Sequence, residues 1–245
     1  MKILVPVSKV PDTTSKIAFA DNKFVTDNVQ FIMNPTDEWY ALTRAIELKE
    51  ANPGSEVVAI NVGLADADAI LQKALAIGAD SAVRIDADPT DAYQVAQEIA
   101  NHIKSASYDL VITGKETIDY NSFEVGGMLA ELLEWNAVAL VSKLDIAGTT
   151  ATATRDIEGG TETVTCSLPA VICATKDLAQ ARIPNMKGIM AARTKPKQVL
   201  PAAVAEKRTA VVSYSLPEKA KEVKMVSADH VDELVRLLHE EAKVI

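Results

Sequence analysis

Cysteine and histidine are scarce in this chain. Its 245 residues include two cysteines, Cys166 and Cys173, and three histidines, His102, His230 and His239. The cysteines sit seven apart among β-branched and apolar neighbours. That spacing fits no zinc site, so buried free thiols are expected rather than a disulfide or a metal pair. No histidine has a cysteine or carboxylate at a spacing that a helix or turn would bring together, and His102 and His239 read as helix-surface residues. No apolar run approaches the ~20 residues a membrane-spanning helix needs. A Walker A loop, a Gly-x-Gly-x-x-Gly run and a serine nucleophile elbow are also missing. With no acid–base set in view, the pattern favours a binding or electron-carrying protein whose chemistry resides in a cofactor.

What is present is apolar and acidic. Hydrophobic residues make up 48% of the chain, enough for a sizeable core. The net charge of −9 argues against a nucleic-acid or anionic-membrane surface. The stretch from Lys187 to Lys197 is the exception, holding Lys187, Arg193, Lys195 and Lys197 with no acid. It reads as a docking surface or as a solvated loop. The opening Met1–Val7 reads as a strand rather than a signal peptide, so a cytoplasmic location is expected.

Strand and helix patterns alternate. Strands are expected at Ile3–Val7, Glu56–Val62, Ser81–Ile85 and Tyr108–Thr113. Helices are expected from Asn34-Pro35-Thr36-Asp37, over Ala65–Ile77 with Gly78 as C-cap, and over Thr90–Lys104. The segment Asp12 to Asn34 reads as irregular, with a hairpin around Asp21-Asn22. This order predicts an α/β fold with a doubly wound, mainly parallel, Rossmann-like sheet. From Ala137 to Thr175 the pattern changes to consecutive strands turning at Gly148 and Glu158-Gly159-Gly160. A helix-poor stretch with Pro184, Gly188 and Pro196 follows, then a candidate last strand at Ala210–Tyr214. Pro201–Lys224 otherwise reads as an extended arm, and Asp229–Ala242 as an amphipathic helix with Val231, Leu234, Val235, Leu237 and Leu238 on one side. The expected division is 1–200 for the nucleotide-binding α/β domain with its hairpins and docking loop, and 201–245 for the arm and terminal helix.

The most informative stretch is Tyr108 to Leu133. A strand runs through Gly114-Lys115-Glu116-Thr117-Ile118-Asp119-Tyr120-Asn121 into a helix with Gly126 and Gly127 in its first turns. The first N–H groups of a helix lack intrahelical partners and the helix dipole favours anions there, so a phosphate or nucleotide held by backbone is expected. Asp119 and Glu124 are candidate acids, but each could equally cap the helix or bind a sugar hydroxyl. In doubly wound sheets ligands bind beyond the carboxyl ends of strands where the strand order switches, here near Pro6–Ser8, Val62–Gly63 and Gly114.

These residues resemble one family. Arg155-Asp156-Ile157-Glu158-Gly159-Gly160-Thr161-Glu162-Thr163-Val164 followed by Leu168-Pro169-Ala170-Val171 is similar to the signature of the electron transfer flavoprotein beta subunit. Val10-Pro11-Asp12, Asn34-Pro35, Lys73–Asp80 and Gly114-Lys115 with Asp119 match in the same order. The resemblance spans essentially the whole chain and lies within the adenine nucleotide alpha hydrolase-like superfamily. It implies a heterodimer in which the alpha subunit holds a redox-active FAD. This subunit would complete the cleft and bind its own adenine nucleotide: AMP in most members, a second FAD in electron-bifurcating ones. Electrons would arrive from a dehydrogenase, commonly an acyl-CoA dehydrogenase, and leave to a quinone reductase or similar acceptor; the subunit would have no catalytic residues of its own.

The family's nucleotide contacts map onto Pro6, Asn34, Pro35, Thr36, Asp37 and Val62, and onto Gly114, Lys115, Glu116, Thr117, Ile118, Asp119, Tyr120, Asn121, Ser122, Phe123, Glu124 and Val125. Thr36 and the Asp12–Thr13 loop are placed to reach the partner's FAD. Where members carry small polar donors, this chain has Phe123 and Glu124, so backbone N–H groups must hold the phosphate. The resemblance also implies a dehydrogenase-docking loop with Met186 as apolar anchor and Lys187, Ile189 and Arg193 around it. The structural alternative makes Met186 and Met190 one inward face of a short helix. The competing function is a stand-alone nucleotide-binding regulator of the universal-stress type, which would not need the residues after Ala137.

Overall fold

The computed structural model describes residues 1–203, 205–217 and 223–245. It forms two compact units: Met1–Ile17 with Val25–Val212, and Ala18–Phe24 with Ser213–Ile245. The first unit is built on a nine-stranded sheet. Seven strands run parallel: β1 (Lys2–Pro6), β6 (Glu56–Val62), β7 (Ser81–Asp86), β8 (Leu110–Gly114), β9 (Asn136–Ala147), β12 (Ala170–Ala174) and β13 (Lys197–Pro201). Antiparallel β10 (Thr150–Ile157) and β11 (Gly160–Ser167) extend the β9 edge as hairpins. The spatial order is β11-β10-β9-β12-β8-β1-β6-β7-β13.

Alternation along each parallel strand builds two cores. On one face Ile3, Val5, Val57 and Ile112 pack against α1 (Asp37–Ala51) and α2 (Asp68–Ile77) through Leu42, Ile46, Leu71 and Leu75. On the other, Leu4, Val58, Ile60 and Val111 pack against α3 (Ala92–Ser105) and α4 (Val125–Leu133) through Ile99, Ile103 and Leu129. Helices on both faces are what makes the central strands read as continuous apolar runs. The doubly wound sheet is as expected.

Several local expectations are corrected. Pro35 lies before the N-cap of α1; Thr36 takes that position but makes no side-chain cap bond. The stretch with Pro184 and Gly188 contains a seven-residue helix, α5 (Met186–Ala192), capped by Asn185, whose Oδ1 accepts from Gly188 N at 2.8 Å. Ala210–Tyr214 is not a strand; among the described residues the last strand is β13, whose exposed face hid its pairing with β7. His102 is half-buried and its Nε2 lies 2.9 Å from the Tyr108 hydroxyl. The irregular Asp12–Asn34 segment contains β5 (Phe31–Met33), which pairs antiparallel with β2 (Lys9–Pro11) just before the segment.

The second unit contains the hairpin of β3 (Phe19–Ala20) and β4 (Lys23–Phe24), turning on Asp21 and Asn22 at positive φ as expected. Phe19 stacks on Tyr214 at 4.8 Å. The terminal helix is α6 (Val231–Arg236) continued by a wide π turn at Leu237–Glu241. Leu237 is buried, while Val231, Leu234 and Val235 are exposed. Parts of the expected arm, residues 204 and 218–222, lie outside the described residues.

Candidate functional site

The strand order makes β8, β1 and β6 neighbours. The chain runs from β1 to β6 and β7 on one side, then returns to β8 on the other. This is a topological switch point, and Pro6, Val62 and Gly114 end the three strands that flank it. The predicted strand ends are therefore brought together by the sheet itself.

Buried polar side chains line this end. Asn34 is fully buried; its Nδ2 donates to Glu116 O at 3.0 Å. Asn61, near the end of β6, is 4% exposed and its Nδ2 donates to Val7 O at 2.7 Å. Among the described residues, Asn34 Oδ1 and Asn61 Oδ1 are buried with no hydrogen-bond partner. A buried amide oxygen left unpaired costs about 1–3 kcal/mol, so a pair of them at the switch point calls for a hydrogen-bond partner such as water or a ligand. Gly63 and Gly114 keep the walls close. A Cβ on Gly63 would lie 2.5 Å from Asn61 Oδ1, and one on Gly114 would lie 2.8 Å from both Glu38 Cγ and Glu38 N.

Glu38, in the first turn of α1, is 5% exposed and was not among the residues expected here. It accepts from Ser8 N at 2.6 Å and from Ser8 Oγ at 2.7 Å. Burial pushes its pKa up to about 7, against the Ser8 hydrogen bonds that pull it down, and Asp119 adds repulsion. Asp37 beside it is also buried and raised, first by burial.

The loop after β8 divides in two. Gly114 to Ile118 is half-buried, whereas Asp119 to Glu124 is exposed. Lys115 pairs with Glu116 at 2.9 Å. Asn121 and Phe123 have positive φ, and for a bulky phenylalanine that conformation stores strain. Glu124 is the N-cap of α4 but makes no side-chain cap bond, which leaves the helix's first amides to other acceptors. Gly126 is buried where a Cβ would run into Cys173 Sγ, so this glycine serves helix–sheet packing; Gly127 faces open space.

A cleft of about 550 Å³ opens on one side of this loop, lined in part by Thr36, Asp37, Tyr40, Lys115, Ile118 and Asn121. Leu140, on its wall, is held at positive φ within the irregular pairing of β9. The geometry thus gathers Asn34, Thr36, Asp37, Lys115, Glu116, Ile118 and Asn121 around one end of the sheet. Val62 is turned into the core, so Asn61 and Gly63, its neighbours, present the polar and close-packed surface instead.

The expected docking loop is firmly held. Trp39 Nε1 donates to Arg182 O at 2.8 Å, and Arg182 makes two bonds to Glu50 at 2.7 and 2.8 Å. Gly188 lets α5 approach α2, since a Cβ there would collide with Ala76 O. Met186 and Met190 are 73% and 55% exposed, which removes the inward-face alternative. Met186 begins a helix rather than sitting in a loop, and Ile183, 84% exposed beside Pro184, projects from the adjoining segment. Half of the basic stretch is structural. Lys195 Nζ donates to Leu75 O at 2.9 Å and Ala79 O at 2.6 Å, and Lys197 pairs with Asp68 at 2.7 Å. Lys187 and Arg193 remain exposed.

A mainly parallel sheet with helices on both faces and a polar switch-point crevice defines a doubly wound α/β protein, and comparison with known proteins narrows the class. Residues 21–205 match the family described as "Electron transfer flavoprotein domain". The chain is 36% identical over 259 aligned residues, covering 100% of both sequences, to the electron transfer flavoprotein subunit beta of Bacillus subtilis. It is 34% identical to the mitochondrial subunit beta of Arabidopsis thaliana, with 100% of each covered. It is 33% identical to the human subunit beta, covering 82% of this chain and 81% of that one. The chain belongs to the electron transfer flavoprotein beta-subunit family.

Proposed function

We propose that this chain is one half of a heterodimeric electron transfer flavoprotein. It binds an adenine nucleotide at the β1–β6–β8 switch point and helps an alpha subunit enclose FAD. The FAD supplies the electron-carrying chemistry; this chain positions and shields. Among the described residues there is no group of three or more His, Cys, Asp or Glu side chains arranged to hold a metal ion, and no helix long and apolar enough to cross a membrane.

The observation that carries the nucleotide reading is the pair of buried, unpartnered amide oxygens, Asn34 Oδ1 and Asn61 Oδ1, at the switch point. Such oxygens suit the exocyclic amino group of adenine or a ribose hydroxyl. The acids nearby, Glu38, Asp37 and Asp119, make side-chain phosphate binding unfavourable. The phosphate is therefore assigned to backbone N–H groups of the Gly114–Val125 loop and the start of α4. This fits AMP as a structural ligand; a second FAD, as in electron-bifurcating members, is the alternative. The cleft beside Thr36 is where this reading seats the partner's flavin edge.

Electron donors are assigned to dehydrogenases, such as acyl-CoA dehydrogenases, docking at Ile183, Met186 and Ile189 with Lys187 and Arg193 steering encounter. The acceptor is a quinone reductase or similar protein. The test is to co-produce the chain with its alpha subunit, release every bound nucleotide and identify each by mass. One FAD and one AMP per heterodimer is the expected result. Two FAD would favour bifurcation, and no adenine nucleotide beyond the alpha subunit's FAD would overturn the reading of this crevice.

A further inference from the structure

We propose that Glu38 is the positioning residue of the nucleotide crevice and sets its charge, so that nucleotide affinity is coupled to the protonation of this one side chain. The inference rests on the nucleotide reading above and deepens it. The geometry carries it first. Glu38 ties the segment after β1 to the first turn of α1 through both the N–H and the hydroxyl of Ser8, at 2.6 and 2.7 Å. The end of β8 rests directly on it at Gly114, where any side chain would collide with its Cγ and backbone N. Next to Ser8, Val7 O receives the Asn61 amide from the end of β6. One carboxyl group thus underlies the meeting of all three strand ends.

Tethering Ser8 does not require a charge. A glutamine could accept from Ser8 N through its carbonyl and donate to Ser8 Oγ through its amide. A carboxyl differs by being able to ionise, and burial raises this one to about 7. Asp119 is the charged group that acts on it, and its repulsion also favours the protonated form. The other charged groups around the mouth are Asp37, the Lys115–Glu116 pair and the Lys9–Asp66 pair, the latter two already neutralised internally. A bound phosphate brings further negative charge, which favours protonated Glu38 still more. By linkage the nucleotide then binds with uptake of a proton, and affinity falls as pH rises through 7.

The experiment uses the full heterodimer stripped of its nucleotide, with AMP as the probe. If bound AMP raises the Glu38 pKa by one unit, affinity at pH 8 is about fivefold below that at pH 6. AMP's own phosphate ionises near pH 6, so wild type is compared with Glu38→Gln at each pH. The glutamine variant should lose the fall above pH 7, and Glu38→Ala, lacking the tether, should bind AMP more weakly at both pH values. Calorimetry of wild type at pH 7.5 in two buffers of different ionisation enthalpy should show uptake of about half a proton per AMP. Superimposable pH profiles for wild type and Glu38→Gln, or no proton uptake by wild type, would overturn the role of Glu38 while leaving the nucleotide reading intact. Failure of wild type to bind AMP or any other adenine nucleotide at this site would remove the nucleotide reading itself.

Discussion

One carboxylate, Asp91, caps a helix and fastens the chain that follows the sheet, and replacing it should separate the two tasks. Its Oδ1 accepts from Gln94 N at 2.9 Å, the N-cap bond of α3. Its Oδ2 accepts from Thr209 N at 2.6 Å, Thr209 Oγ1 at 2.5 Å and Arg208 N at 3.3 Å. Further along the same helix Gln97 and Glu98 accept from Glu206 N and Ala203 N at 2.7 and 2.9 Å, and Arg208 lies 4.3 Å over the Tyr93 ring. Losing an N-cap costs about 1 kcal/mol. Losing hydrogen bonds to a charged acceptor costs about 1.5–3 kcal/mol. Asp91→Ala removes both, so urea unfolding at neutral pH should show a loss of about 3 kcal/mol. Asparagine caps as well as aspartate, so Asp91→Asn should lose only about 1–2 kcal/mol. Both variants should be cut faster by trypsin at Lys207 and Arg208. The sign with pH follows from the Thr209 bond, which chiefly holds the Asp91 pKa near 2, below its usual 3.8. A depressed carboxyl contributes fully above its unfolded pKa and loses that contribution as pH falls through the folded one. The stability gap between wild type and Asp91→Asn should therefore close between about pH 4 and pH 2. Equal stabilities for the Asn and Ala variants, with unchanged cleavage at Lys207 and Arg208, would refute this account of the fastening.

Gly126→Ala should destabilise by about 1–3 kcal/mol, because its Cβ would press on Cys173 Sγ and lie 3.0 Å from Thr113 Oγ1. Gly127→Ala, one position on with nothing within 4 Å, should stabilise by about 0.5–1 kcal/mol in thermal or urea melts. Lys195→Met should cost about 1.5–3 kcal/mol in the same melts by leaving Leu75 O and Ala79 O without their charged donor. Ile183→Ala and Met186→Ala should each weaken dehydrogenase docking by about 1–3 kcal/mol, seen as slower electron transfer from the dehydrogenase. Since both side chains are exposed, at 84% and 73%, the melting temperature should not move; a drop in it would place them in the core instead.

The sheet was legible because its signals are local. Buried parallel strands announce themselves as short apolar runs, and Glu56–Val62 came out with the bounds the run suggests. The hairpins after Ala137 followed from alternation and glycine turns. The edge strand β13 escaped because Lys197, Gln198 and Val199 are exposed, so no alternation marks it; only its partner β7 makes it a strand. Helix α5 stood only as the alternative reading of this stretch, and with the wrong face inward, because Pro184 and Gly188 are read as breakers. Here the proline precedes the cap, and the glycine is inside the helix because Ala76 O leaves no room for a side chain.

The site divides along the same line. Strand ends, glycines and the helix start could be read directly, since backbone anion sites depend on local order. Asn61 and Glu38 could not, because what matters is what they meet. Asn61 interrupts an apolar strand, and that single polar residue in a buried run was the available signal. Glu38 looks like an ordinary acid in a first helical turn, favoured by the helix dipole; its burial comes from what the fold brings to it, Ser8 and Gly114 among them. The basic stretch shows the converse. Four cations within eleven residues suggested a charged rim, yet Lys195 closes the end of α2 and Lys197 answers Asp68. A charge spent on a helix carbonyl or a half-buried carboxylate contributes little to long-range steering, so in the proposed docking the electrostatic part falls to Lys187 and Arg193. On the proposed docking role the apolar part supplies most of the residence time, and Trp39 and Glu50 fix Arg182 immediately before Ile183. A loop fixed before binding gives up less conformational entropy on docking.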